Sequence, residues 1–251
     1  MPVWDRYLTD RDRAVYEAAG YGDKLGFGER PAVLVVDVNY AFVGPEPAPI
    51  LESIKLWRNS CGEEGWAGVA AIAKLLAAAR EKSLPIFYST NLDLRPDGFG
   101  KGLWRNRRKL EDPRLATGIS PNEIVAEIAP QPRDVVIRKL RPSAFFGTPL
   151  ASYLVELQVD TLLVCGTTTS GCVRASVLDA FSCGYRVAVV EECTFDRGEV
   201  SHAINLFDMN AKYADVVSLQ AASEYVRGLS AGLFDETIAG SGQPAVEIVE
   251  G

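Results

Sequence analysis

Six short apolar runs recur along the chain: AVLVVD (32–37), PIFYST (85–90), DVVIRK (134–139), TLLVCG (161–166), RVAVVEE (186–192) and DVVSL (215–219). They are rich in Val, Ile and Leu and nearly continuous instead of alternating with polar residues. That is the pattern of strands buried on both faces of a parallel sheet. Helix-like spacing fills the intervals and predicts helices over 66–83, 120–129, 148–157, 171–183 and 198–213. The start of the second is marked by Ser120-Pro121-Asn122-Glu123, a capping box with proline at the first helical position. Regular strand–helix alternation predicts an α/β fold: a three-layer αβα, doubly wound, mostly parallel six-stranded sheet.

Outside this body, residues 1–30 read as an amphipathic helix with a sparse apolar face (Tyr7, Val15, Tyr16) and a glycine-rich linker, GYGDKLGFGERP. The body spans 31–229. Residues 230–251, rich in Gly, Ser and acid, read as a loosely ordered tail. Two connections, 38–65 and 91–119, are long for a compact domain, and such loops are more often functional than idle. No internal repeat is visible.

Length and composition bound the answer. At 251 residues, 47% hydrophobic and 24% charged, the chain is ordinary globular material and fits one domain with extensions. The formal charge of −7 includes Asp235, Glu236, Glu247 and Glu250, all beyond the last basic residue, Arg227. The body is thus only mildly acidic, which gives no electrostatic reason to expect nucleic acid or an anionic membrane as partner. No apolar run approaches ~20 residues, and the charged start MPVWDRYLTDRDR is unlike a secretory signal. The expectation is a cytoplasmic protein with reduced thiols. The five cysteines form no C-x-x-C pair, and His202 is the one histidine.

In an open parallel sheet, ligands bind at the carboxyl ends of the strands. The first run ends in Asp37, the third in Lys139, and the fourth leads through Gly166-Thr167-Thr168-Thr169-Ser170-Gly171 to Cys172. An acid, a base and a thiol therefore converge on one edge. Cys172 stands at the start of a predicted helix, whose N–H groups stabilise a thiolate and can hold an oxyanion. Cys61, Cys165, Cys183 and Cys193 read as small buried residues in strand cores or helix bodies. Taken singly, Asp37 could cap a helix, Lys139 could be a solvated strand end and Cys172 a core residue. Their occurrence together at three strand ends favours a site.

The blocks AVLVVDVNYAF, VIRKLRPSAFFGTPL and LLVCGTTTSGCVRASVLDAFSCGYRVAVVEECTFDR resemble the isochorismatase-like cysteine hydrolases, in order, over roughly residues 28–228. Within that superfamily, GFGERP and SCGEEGW resemble the N-carbamoylsarcosine amidohydrolase branch, with maleamate amidohydrolases next. The resemblance implies a catalytic Asp37, Lys139 and Cys172. It also implies a cis peptide between Thr167 and Thr168 that turns the Thr168 N–H toward that of Cys172 to form an oxyanion hole. Arg197 matches an arginine of the branch that takes carboxylate substrates, and a guanidinium grips a carboxylate with two parallel bonds; a surface arginine is the alternative. His202 matches a histidine of the same branch. The nicotinamidases of this superfamily hold a metal through Asp-x-His after the second strand. Here STNLDLRPDG carries no histidine, so no metal and no cofactor is expected. Isochorismatases proper lack the nucleophilic cysteine.

Asn39, Phe42, Trp104 and Phe145 are candidates for the pocket wall, although aromatics at loop starts also serve as core edges. The run Arg105-Asn106-Arg107-Arg108-Lys109 reads as a solvated face, a subunit contact or a second anion grip. The expected partner is a small carboxylated amide, and the resemblance implies a homodimer or homotetramer. Two other classes remain open at this point: a non-catalytic binder of small acids on this fold, and a redox-sensing thiol protein, which lacks a nearby resolving cysteine in sequence.

Overall fold

The computed structural model describes residues 1–93, 95–100, 102–103, 118–235 and 247–248. Its strands are β1 (Pro31–Val36), β2 (Ile86–Asn91), β3 (Val135–Lys139), β4 (Thr161–Thr167), β5 (Arg186–Phe195) and β6 (Asp215–Val217). A two-residue β7 (Glu247–Ile248) pairs with β3 at that sheet edge. Every pairing is parallel, and the spatial order is β6-β5-β4-β1-β2-β3-β7. The continuous apolar runs mean what their pattern implies: all residues of β1 and β4 are buried.

The helices are α1 (Asp10–Ala18), α2 (Tyr40–Val43), α3 (Ile50–Leu56), α4 (Gly62–Glu81), α5 (Leu150–Glu156), α6 (Arg174–Ser182), α7 (Glu199–Lys212) and α8 (Leu219–Gly228). Helix α4 buries Val69, Ile72, Leu75, Leu76 and Ala79 and packs on β5 and α8. Among the described residues no helix is long and apolar enough to cross a membrane. The N-terminal helix is present, with Thr9 and Asp12 closing a capping box; none of its own residues is buried. Tyr16 and the buried Trp4 nevertheless place their rings on Phe207 of α7. The following segment is laced to the sheet. Gly26 N–H donates to Asp215, Gly28 N–H to Thr161, and the Glu29 and Arg30 N–H groups to Asp160.

One helix expectation and one strand boundary fail. Segment 120–129 is not a helix: only Ala126–Ile128 forms a 3₁₀ turn. Its backbone instead completes the loop after β1. The N–H groups of Tyr40 and Ala41 donate to the carbonyls of Glu123 and Pro121, Asn39 bridges to Ile124, and the Thr90 hydroxyl donates to the Asn122 carbonyl. Tertiary bonds override a good local capping signal. Conversely, α8 takes up the segment after Val217, where the apolar run DVVSL read as strand to 219. Ser218 caps it by accepting from the Ala221 N–H.

The strand order reverses direction between β1 and β4, which opens a crevice outside their carboxyl ends. The two strands pair with Val36 opposite Gly166. There Gly166 has φ +109°, and a Cβ on it would lie 2.1 Å from the Val36 carbonyl oxygen. Only glycine permits both the dihedral and the approach. Gly166→Ala is therefore expected to cost about 3 kcal/mol, or ~10 °C in Tm. A melting curve within about 2 °C of wild type would contradict this tight closure.

Candidate active site

Asp37 follows β1 directly, with its N–H bound to the Ser89 carbonyl of β2. Its φ of 52° lies in the left-handed region, where Asp is one of the few side chains tolerated. Such a conformation persists where the surroundings over-determine it, and it clusters at active sites. Lys139 ends β3 and reaches Asp37 Oδ2 at 2.7 Å; both side chains are essentially inaccessible, at 1% and 0%. The Lys139 ammonium also donates to the Arg141 carbonyl at 3.1 Å, and the Ser89 hydroxyl donates to Asp37 Oδ1 at 3.3 Å. Burial opposes the charge on Lys139, but the Asp37 carboxylate and Cys172 outweigh it, and its pKa is raised.

Cys172 sits in a π-type turn, Thr169–Val173, immediately before α6. It is partly exposed, and the charges of both Asp37 and Lys139 bear on its thiol. The three candidates thus form one contiguous cluster at the switch point. Burial, then the Asp37 charge, push the thiol pKa up, against a lowering influence from Lys139. The direction favours a thiol that gives its proton to the neighbouring Asp37, as the expected roles of the two residues require. Accordingly, the ultraviolet thiolate band, read as wild type minus Cys172→Ser, is expected to be missing at neutral pH. A full thiolate band there would overturn this charge assignment.

The Thr167–Thr168 peptide is cis. The Thr168 carbonyl accepts from the N–H groups of Gly171 and Val173, and the Ser176 hydroxyl anchors the Cys172 carbonyl at 2.7 Å. Ser176 also accepts from the Ala144 N–H, which ties this turn to the loop after β3.

The remaining candidates are more scattered. Asn39 is fully buried and donates to Thr90, leaving its Oδ1 without a partner, a free acceptor two residues from Asp37. Phe42 packs with Ala41 and Trp57 in a small separate cluster, and Phe145 lies in the main core with its ring toward Tyr185. These are core contacts, as core edges would make. Trp104 and the basic run 105–109 lie outside the described residues. Arg197 is exposed, and its guanidinium donates to the Asn59 carbonyl at 2.8 Å, in the turn before α4. His202 shares a 2.7 Å hydrogen bond with the Thr169 hydroxyl, next to the thiol loop. Burial lowers its pKa, against a raising influence from Asp196.

The other cysteines divide differently from expectation. Cys165 and Cys193 are buried strand residues, but Cys183 is exposed beyond the end of α6. Cys61 is buried at the N-cap of α4, with its sulfur 3.5 Å from the Thr167 hydroxyl and its pKa pushed up to about 12, chiefly by burial. Ser89, Ser176 and Asp196 carry contacts that the sequence reading did not single out. Their one sequence signal is position at or just beyond strand and helix ends. Among the described residues no group of three or more His, Cys, Asp or Glu side chains is placed to hold a metal ion.

Residues 31–221 match the family model described as the isochorismatase domain. A maleamate amidohydrolase of Pseudomonas putida is 36% identical over 214 residues, covering 84% of this chain and 93% of that protein. An N-carbamoylsarcosine amidase of Arthrobacter sp. is 32% identical over 232 residues, covering 90% and 81%. Among solved structures, a cysteine hydrolase from Pseudomonas syringae pv. phaseolicola superposes with a TM-score of 0.68 at 25% identity, covering 78% of this chain and 92% of that one.

Proposed function

Since this chain belongs to the isochorismatase family, we propose that it is a cysteine-dependent amidohydrolase. In this reading it releases ammonia from a small linear carbamoyl or amide compound bearing a carboxylate, N-carbamoylsarcosine first. The observation that carries the reading is the buried Lys139–Asp37 pair, whose two charges both act on the Cys172 thiol. The two named relatives support the bond type, and the maleamate amidohydrolase favours maleamate as the second reading.

The steps follow from the charge states. Asp37 takes the thiol proton as Cys172 Sγ bonds to the carbonyl carbon. The oxyanion so formed rests on the N–H groups of Thr168 and Cys172. Its collapse breaks the C–N bond, and Asp37 returns the proton to departing ammonia. The enzyme is left as a thioester, or as a thiocarbamate for a carbamoyl substrate. Water, deprotonated by Asp37, attacks that carbon and restores the thiol. With N-carbamoylsarcosine the products are ammonia, carbon dioxide and sarcosine; with maleamate, ammonia and maleate. Lys139, 2.7 Å from Asp37 Oδ2, keeps a positive charge beside the carboxyl group as its proton comes and goes.

Ammonia release from a panel of carboxylated amides tests this reading. Turnover that iodoacetamide abolishes and exhaustive chelation leaves unchanged is the expected result. Chelator-sensitive turnover restored by zinc would point to metal-assisted hydrolysis instead, and no ammonia from any member would sink the proposal.

Arg197 decides substrate class. Its guanidinium is exposed with one N–H spent on Asn59, so a carboxylate contact there is worth about 1.5–3 kcal/mol. Arg197→Ala should then lower kcat/KM for the acidic substrate by about 10- to 100-fold. The corresponding methyl ester should be a poor substrate and insensitive to the mutation. Equal losses on both substrates would make Arg197 structural and direct the search to neutral amides.

A further inference from the structure

The loop that carries the thiol is held from one side by a corner of the molecule that plays no part in the chemistry above. Asp196 follows β5 directly. Its Oδ2 accepts both the Ser170 N–H at 2.8 Å and the Ser170 hydroxyl at 2.6 Å, while its Oδ1 accepts the Arg197 N–H at 2.7 Å. One residue earlier on the same loop, the Thr169 hydroxyl is bonded to His202 from α7. Both anchors therefore fall between the Thr167–Thr168 peptide and Cys172. The Gly171 and Val173 N–H groups bond locally to the Thr168 carbonyl, and the Ser176 hydroxyl holds the Cys172 carbonyl from the helix side.

We propose that Asp196 is a positioning residue for the oxyanion-binding loop, aided by His202. Three observations converge on it. A single carboxylate satisfies both donors of Ser170, so it fixes the loop's backbone and not merely a side chain. Its other oxygen fixes the first peptide of the segment that carries Arg197, so thiol loop and Arg197 segment share one anchor. Besides burial, the influences on the Cys172 thiol come from Asp37 and Lys139, whereas the Asp196 charge bears on Cys61 and His202. Asp196 thus acts on where the Thr168 and Cys172 N–H groups point, not on the ionisation of the nucleophile. Such placement matters steeply: a misplacement of about 1 Å costs on the order of 100-fold in rate.

The inference rests on acyl transfer at Cys172 but not on which amide is the substrate. Its test compares Asp196→Ala and Asp196→Asn in a Cys183→Ser background, which removes the exposed thiol. Three rates are read: amide hydrolysis, acylation by 4-nitrophenyl acetate, and alkylation of Cys172 by iodoacetamide. The first two pass through a tetrahedral oxyanion; alkylation attacks a saturated carbon and does not. Asp196→Ala is expected to lower kcat and the acylation rate ~10- to 100-fold, with alkylation within about twofold of the parent. Asp196→Asn, which keeps one good acceptor, should fall between, and it carries the same test if the alanine variant does not fold. Unchanged kcat, or alkylation falling in step with hydrolysis, would overturn the proposal. A parent protein that is acylated by the ester but cleaves no amide would sink the amidohydrolase reading and leave this one standing on its acylation rates.

Discussion

Replacing Cys172 by alanine is expected to remove ammonia release almost entirely while leaving the fold intact. A nucleophile that forms a covalent intermediate has no substitute within the site. Loss of such a group costs on the order of 10⁴-fold or more in kcat. The side chain is partly exposed and stands in a turn, so its truncation opens no deep cavity. The other thiols should divide as their burial does. Alanine at buried Cys61, Cys165 or Cys193 costs stability without touching the chemistry, and at exposed Cys183 it changes neither. Ammonia release and melting curves on the five single variants give the comparison. Turnover by Cys172→Ala within tenfold of wild type would remove the nucleophile from the account.

The second large effect belongs to Lys139. Removing it leaves the Asp37 carboxylate buried without a cation, and breaking such a pair from one side costs ~3–5 kcal/mol. Lys139→Ala is therefore expected to lose both stability and ~10²- to 10⁴-fold in kcat. The double variant Asp37→Asn/Lys139→Met separates the two losses. It leaves no buried charge, and Asn tolerates the left-handed backbone at position 37. Its Tm should recover most of the way, with activity still absent. The sign of the pH effect follows from the raised Lys139 pKa. The pair's contribution is complete below the ordinary lysine value of 10.5 and is lost as pH rises through the higher folded value. Denaturant midpoints on the three proteins between neutral pH and the alkaline limit check this. A single variant as stable as wild type would show that the pair contributes nothing.

The strands and the reacting residues were legible for a physical reason. A strand buried on both faces must be apolar throughout, so a polar or ionisable residue at its end, such as Asp37 or Lys139, stands out against the run. The cluster at the switch point then follows from the doubly wound order, which brings the ends of β1 and β4 side by side. What was not legible depends on contacts between segments distant in sequence. The capping box at Ser120 satisfies every local rule, yet its backbone is consumed by the loop after β1. Asp196 looks like any polar residue after a strand, and its bonds to Ser170 span 26 positions. The balance at Cys172 is of the same kind: burial and the Asp37 charge raise the thiol pKa against Lys139, and neither is visible from helix position alone.

The central claim is that Cys172 carries the acyl group between loss of ammonia and attack by water. Hydroxylamine added during turnover of an amide substrate tests it directly, because it competes with water for the thioester and yields a hydroxamate; with a carbamoyl substrate the thiocarbamate yields the N-hydroxyurea in its place. The account predicts hydroxamate from the wild-type protein in competition with the ordinary product, at an unchanged rate of ammonia release if acylation is the slow step, and none from Cys172→Ala. Ammonia release with no hydroxamate at any hydroxylamine concentration, or hydroxamate formed equally by Cys172→Ala, would contradict it.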